Sequence, residues 1–172
     1  MAKENPHDVF FKATFSQKNI AEAFLKEFLP TEIQNNLDIS SLELSTNSYI
    51  DEELSENFAD LVYDCHYKNK HKVRVAILLE HKSFKVKYPH FQLLRYLLNA
   101  WEQNEKQKQD FIPMIPIIIF HGKGRWEYSP LKKYFKSLRV QNSKGLFPNS
   151  IIYCAIFRVY QMPKFLALKI IF

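Results

Sequence analysis

Apolar and polar positions fall into a few periodic blocks along the chain. In residues 18–29, KNIAEAFLKEFL, the apolar members Ile20, Ala23, Phe24, Leu25 and Phe28 recur at helical spacing, while Lys18, Glu22 and Lys26 lie toward the opposite side. Pro30 follows where such a helix stops. Upstream, Val9, Phe10, Phe11, Ala13, Thr14 and Phe15 form a short apolar helix or extended segment, and the polar, mixed stretch SLELSTNSYIDEEL (41–54) reads as a strand or loop. FADLVYDCHY (58–67) has the β-branched and aromatic content of a strand, and KVRVAILLE (72–80) alternates Val73, Val75, Ile77 and Leu79 on one face. Lys68-Asn69-Lys70-His71 between them suits a hairpin, so these strands are expected to pair antiparallel. From His90 to Gln107 the pattern turns helical, with Phe91, Leu94, Leu97, Leu98 and Trp101 as the apolar stripe. PMIPIIIF (113–120) is a continuous apolar run of the kind found in strands buried on both faces. Helix, hairpin, helix, strand is the order of an α/β domain with a mixed sheet.

Composition narrows this picture only slightly. At 172 residues, 47% apolar and 24% charged, the chain is one domain's worth of globular sequence and excludes a disordered reading. Its +6 formal charge makes polyanions plausible partners without specifying a fold. Cys65 and Cys154 are too far apart in sequence for the close-spaced pairs of zinc or redox motifs and read as reduced, buried thiols. The first residues contain no uninterrupted apolar stretch of signal-peptide length, so a cytoplasmic location is expected. The apolar stretch IIYCAIFRVYQMPKFLALKIIF (151–172) is interrupted by Arg158, Gln161, Pro163, Lys164 and Lys169, and no membrane span is expected there.

Candidate chemistry concentrates at the end of the second strand. By strand alternation Glu80 and Lys82 project to one side while Leu79 and His81 project to the other. A hairpin closed at 68–71 pairs residues whose numbers sum to about 140, which sets Asp60 opposite Glu80. Two carboxylates and water are the usual cradle for Mg²⁺, and a neighbouring Lys can orient or deprotonate an attacking water. A Glu-x-Lys at a strand end is more commonly a solvated charge pair. Asp60, set in an otherwise apolar strand, is the residue that weighs against that reading, because a buried charge is costly unless used or paired. Gly122-Lys123-Gly124 lacks the spacing of a phosphate loop and reads as a turn.

Beyond these single features, the ordered blocks NPHDVFFKATFS, FLKEFLP, SYIDEELSENFADLVYDCHYK, ILLEHKS, QLLRYLLNAWEQ and IPIIIFHG, with Trp126 after them, resemble the Rpn family of recombination-promoting nucleases, also labelled YhgA-like transposases. The resemblance implies the PD-(D/E)XK nuclease fold, a mixed-sheet core of αβββαβ order with the active site on the central hairpin. It implies Asp60 and Glu80 as metal ligands and Lys82 as the catalytic Lys, although many relatives carry Gln at that position. Gln92 and Arg95 become candidate phosphate contacts, with Glu22, and less readily Asp8, as an additional acid. His81, on the opposite side of its strand from Glu80, is expected to be packed rather than ligating.

The implied activity is Mg²⁺-dependent endonucleolytic hydrolysis of DNA, with Mn²⁺ as a substitute ion, in recombination, mobile-element exchange or defence in a bacterial cytoplasm. The implied partners are DNA and either a second copy of the chain or a longer paralogue. The resemblance covers residues 1–126 as a nuclease-like domain and fades over 127–172, which reads as a divergent, truncated segment. Two alternatives stand beside it: a DNA-binding module without catalysis, and a regulatory partner of a full-length relative.

Overall fold

The apolar stripes close into helices where the chain supplies stops. In the computed structural model, which describes residues 6–55, 58–68, 70–80, 88–120 and 159–161, helix α1 spans Pro6–Phe15 and α2 spans Lys18–Phe28. Leu29 leaves α2 in an extended conformation just ahead of Pro30, whose ring disfavours helical geometry in the residue before it. A single turn, α3 (Thr31–Gln34), leads into strand β1 (Leu37–Leu44). A second short helix, α4 (Glu52–Ser55), precedes β2 (Phe58–Tyr67) and β3 (His71–Glu80). Then follow α5 (Pro89–Lys106), β4 (Met114–Phe120) and β5 (Val159–Gln161).

The strands lie in one mixed sheet in the order β1-β2-β3-β4-β5. β1–β2 and β2–β3 pair antiparallel, whereas β3–β4 and β4–β5 pair parallel. Parallel neighbours need a long crossover, and α5 supplies it between β3 and β4. β1 carries three extra residues between Asp38 and Glu43 relative to β2, and the Ser41 hydroxyl in this irregular stretch accepts the His66 N–H at 2.9 Å.

Both faces of the sheet are covered. On one, α1 and α2 bring Phe11, Phe15, Ala21, Phe24 and Leu25 against Ala59, Tyr63, Val75, Ile77 and Leu79. Phe15 and Phe24 meet edge-on at 5.2 Å, and the Tyr63 hydroxyl donates to the Phe15 carbonyl, fixing the end of α1 to β2. On the other face, α5 places Leu93, Tyr96, Leu97 and Ala100 over Phe58, Val62, Ala76 and Leu78. β3 is therefore buried on both sides, which explains its nearly unbroken apolar run.

The expected helix, hairpin, helix, strand order is present, and 41–54 resolves into the end of β1, a connecting segment and α4. Three expectations are corrected. The hairpin turn is one residue shorter than expected: His71 pairs with Tyr67, Lys68 turns the chain with a left-handed φ of 51°, and the Lys70 N–H returns to the Tyr67 carbonyl at 3.2 Å. This tighter turn sets Asp60 opposite Leu78, and Glu80 opposite Phe58. On α5, Phe91 and Leu98 are exposed, and the buried line runs through His90, Leu93, Tyr96, Leu97, Ala100 and Asn104. The reason is polar: the sheet beneath α5 carries Asp60 and Arg74, which Tyr96 and Asn104 can bond and Phe or Leu cannot. On α2 the small residue turned inward is Ala21, while Ala23 is exposed.

The 126/127 boundary, the glycine turn at 122–124 and most of the 151–172 stretch lie outside the described residues. Among those described, no helix is long and apolar enough to cross a membrane. Cys65 is a free, buried thiol, pushed up by burial; Cys154 lies outside the described residues.

Candidate active site

Asp60 is the only buried carboxylate among the described residues, at 7% exposure. Third in β2, it shares the α5-facing side of the sheet with Phe58 and Val62. Three donors converge on it. The Ser48 hydroxyl donates to Oδ1 at 2.6 Å, while the Tyr49 N–H at 3.1 Å and the Tyr96 hydroxyl at 2.8 Å both donate to Oδ2. A carboxylate oxygen accepts two hydrogen bonds, so among the described residues these partners fill Oδ2 and leave one acceptor position on Oδ1. Burial first, and then the neighbouring Asp60 carboxylate, push the Tyr96 hydroxyl well above its usual range, which keeps it a donor.

Two donors come from the segment between β1 and α4, and that segment is tied down along its length. The Ser45 N–H bonds the Val62 carbonyl at 2.8 Å, Asp51 caps α4 through the Leu54 N–H at 2.8 Å, and Asn99 of α5 donates to both the Tyr49 carbonyl (3.2 Å) and Asp51 Oδ2 (3.0 Å). Arg95 donates to Asp51 at 2.7 Å and pairs with Glu53. Burial works to raise the Asp51 carboxyl, but hydrogen bonds from Leu54, Arg95 and Asn99, with the Arg95 charge, outweigh it and hold it at about 2.

Behind the segment lies Arg74, 5% exposed in the middle of β3. Its Nε donates to Asp64 at 2.9 Å, and its Nη1 to the Tyr49 hydroxyl at 2.6 Å and to Asn104 Oδ1 at 3.1 Å. The guanidinium also lies 5.7 Å from the Tyr49 ring centroid. Asn104 in turn donates to the Asp110 carbonyl at 3.0 Å, so the layer is satisfied through to the end of α5.

The residues expected from the sequence divide as follows. Glu80 ends β3, its backbone in register with Phe58 on β2 and Phe120 on β4, two positions beyond the partner of Asp60. Lys82 and His81 lie outside the described residues. Gln92 is half-buried one turn ahead of Tyr96, and its Oε1 is buried without a hydrogen-bond partner among the described residues. Arg95 is engaged by the two α4-region carboxylates rather than set beside Asp60. Glu22 sits on α2, which packs on the opposite face of the sheet, and pairs with Lys18 and Lys26. Asp8 is half-buried in the first turn of α1, whose Phe11 and Phe15 pack on that same opposite face.

Sequence reasoning missed Ser48, Tyr49, Arg74, Tyr96 and Asn104. Arg74 had a visible signal, a charge inside the apolar run VRVAILL. Ser48 and Tyr49 had none, since their partner is remote in sequence.

Among the described residues no three His, Cys, Asp or Glu side chains converge as a metal cluster. Asp60 by itself fits a hard divalent cation as one oxygen ligand, through the remaining acceptor position of Oδ1, when the ion keeps much of its own water.

No solved structure matches this chain. Recombination-promoting nuclease RpnA of Escherichia coli strain K12 is 30% identical over 118 residues, 68% of this chain and 40% of the relative. RpnC of the same strain, another recombination-promoting nuclease, is 28% identical over 120 residues, 69% of this chain and 40% of the relative. The inactive recombination-promoting nuclease-like protein RpnE, also from that strain, is 25% identical over 119 residues, 69% of this chain and again 40% of the relative. The chain thus spans about 40% of the length of these curated relatives. The family described as "Putative transposase, YhgA-like" matches residues 5–152, and the chain belongs to that family.

Proposed function

We propose that this chain is a metal-dependent nuclease that hydrolyses DNA phosphodiester bonds, with a PD-(D/E)XK-type site on the β2–β3 hairpin. The observation that carries the reading is Asp60: a carboxylate buried in an apolar sheet, oriented by three donors yet left, among the described residues, with one acceptor position on Oδ1. A buried polar group arranged in this way costs free energy, and a site that uses it accounts for its presence. RpnA and RpnC, described as recombination-promoting nucleases, support the same activity here.

In this reading Asp60 and Glu80 hold Mg²⁺ or Mn²⁺. Position 80 has the strand parity of Ala76 and Leu78, which lie on the α5 side of the sheet with Asp60. Such an ion, when bound, supplies Lewis-acid stabilisation of charge at phosphorus and a more acidic water. Lys82, two residues further on, serves the attacking water. Gln92, with an unpartnered Oε1 one turn from Tyr96, is suited to accept a hydrogen bond from substrate-side donors or ordered water. Arg95 and Glu22 are each held in ion pairs, and this reading assigns them no role in the chemistry.

A second reading, a non-catalytic DNA binder or a regulatory partner of a longer relative, is favoured by one observation: RpnE, matched over the same share of the chain, is described as inactive. Purified, folded protein incubated with supercoiled plasmid and Mg²⁺ or EDTA, beside Glu80→Ala, separates the two. Metal-dependent nicking that the variant loses supports the nuclease. DNA binding with strong salt dependence and no cleavage supports the second reading.

A further inference from the structure

We propose that Tyr49 and Arg74 are positioning residues for Asp60, acting as a relay that fixes the plane of its carboxylate and so the direction in which an oxygen lone pair faces a metal ion; this rests on the nuclease reading above. Tyr49 is 3% exposed and held at three points. Its N–H donates to Asp60 Oδ2 at 3.1 Å, its carbonyl accepts from Asn99 at 3.2 Å, and its hydroxyl accepts from Arg74 at 2.6 Å. Its ring meets that of Tyr96 edge-on at 5.9 Å, and Tyr96 is the other donor to Oδ2. A residue pinned at both ends has little freedom to withdraw its amide from Asp60.

Arg74 does not act by contact. It lies four residues along β3 from Leu78, the register partner of Asp60, or ~13 Å at the usual strand rise. Its neighbours on the same side of β3, Ala76 and Leu78, are apolar. A well-packed apolar residue often replaces a buried ion pair without loss of stability, so stability alone gives a weak reason for an Arg here. Its link to the Tyr49 hydroxyl gives a specific one. With Tyr49 and Tyr96 on one carboxylate oxygen and Ser48 on the other, the carboxylate plane cannot tilt without stretching these hydrogen bonds, and the acceptor position left open among the described residues keeps its direction. Loosening Tyr49 lets the carboxylate plane tilt and weakens the cation site.

Tyr49→Phe removes the acceptor of Arg74 while keeping the ring and the backbone amide, and Arg74→Lys keeps the charge while losing the planar fork. Mn²⁺ binding to the DNA-free chain, followed by electron paramagnetic resonance, reports the cation site without catalysis. Plasmid nicking at varied Mg²⁺ reports kcat and the KM for DNA. The expected result for both variants, shown folded by circular dichroism, is a metal midpoint about 10- to 100-fold higher, in the range typical of groups that orient metal ligands. kcat falls with KM for DNA unchanged, and excess Mg²⁺ restores part of the rate. Phe24→Ala, which loosens the opposite face of the sheet, keeps the wild-type midpoint. Unchanged midpoints in both variants, or an equal shift in Phe24→Ala, overturn the proposal while leaving an active wild type as a nuclease. Wild-type protein that neither binds Mn²⁺ nor nicks DNA overturns the nuclease reading, and the relay with it.

Discussion

Under α1 and α2 the sheet is closed by Phe11, Phe15, Phe24 and Leu25 against Val75, Ile77 and Leu79, a layer that is mostly hydrocarbon. Under α5 the same strands carry Asp60 and Arg74, and the helix answers with Tyr96, Asn99 and Asn104. The first face follows from the solvent's rejection of apolar surface and any good packing would serve it. The second face places a carboxylate and a guanidinium where apolar side chains would fit. It then needs donors and acceptors from three separate parts of the chain to satisfy them. The contrast between two sides of a single β-hairpin separates residues kept for the fold from residues that call for another explanation.

Substitutions on the two sides should differ in kind as well as size. The largest loss of stability is expected on the apolar face: Phe24→Ala should cost about 3–5 kcal/mol in urea unfolding, through lost burial and the cavity left among Phe15, Leu25 and Phe28. A smaller effect, present at neutral pH and vanishing in acid, is expected at the edge of the polar face. The Asp51 carboxyl is held at about 2, below its ordinary value of 3.8, so its contribution is fully present above pH 4 and is lost as the pH falls from about 4 to about 2. Asp51→Asn should therefore lower the melting temperature at neutral pH and flatten its decline through that acid window, as followed by circular dichroism. The smallest effect belongs to the outer surface of α5: Leu98→Gln, at a position 53% exposed, should change stability by less than about 0.5 kcal/mol. A large loss there would mean that this side of α5 is not the solvent-facing side.

The same contrast explains what the sequence made legible. Helical spacing in 18–29, alternation in 72–80 and the continuous run at 113–120 each reflect a single rule, burial of apolar side chains, and each element lies within a residue or so of its expected place. The pairing of Asp60 with Leu78 rather than Glu80 is a shift of two positions: one comes from a turn one residue shorter than 68–71, which composition does not determine, and the other from taking the paired numbers to sum to about 140 where that longer turn gives 139. The stripe on α5 was misplaced because Phe91 and Leu98 are more apolar than Tyr96 and Asn104, yet only the latter can bond what lies beneath. Ser48 and Tyr49 sit in a stretch without periodicity and meet Asp60 through tertiary contacts spanning 12 and 11 residues. Asp60 itself was visible as a charge in an apolar strand, which is the signal a polar layer leaves in a sequence.

Asp60→Asn separates a catalytic from a purely structural Asp60, because the amide is nearly isosteric and can satisfy the same three neighbours. Its oxygen accepts from the Tyr49 N–H and the Tyr96 hydroxyl, and its Nδ2 donates to Ser48 Oγ. Urea unfolding and Mg²⁺-dependent plasmid nicking should be measured on the same preparations of wild type and variant. The expected outcome is stability within about 1 kcal/mol of wild type and loss of nicking, since the fold keeps its hydrogen bonds while the charged oxygen ligand is gone. Wild-type nicking that persists undiminished in Asp60→Asn would contradict it and return Asp60 to a purely structural role.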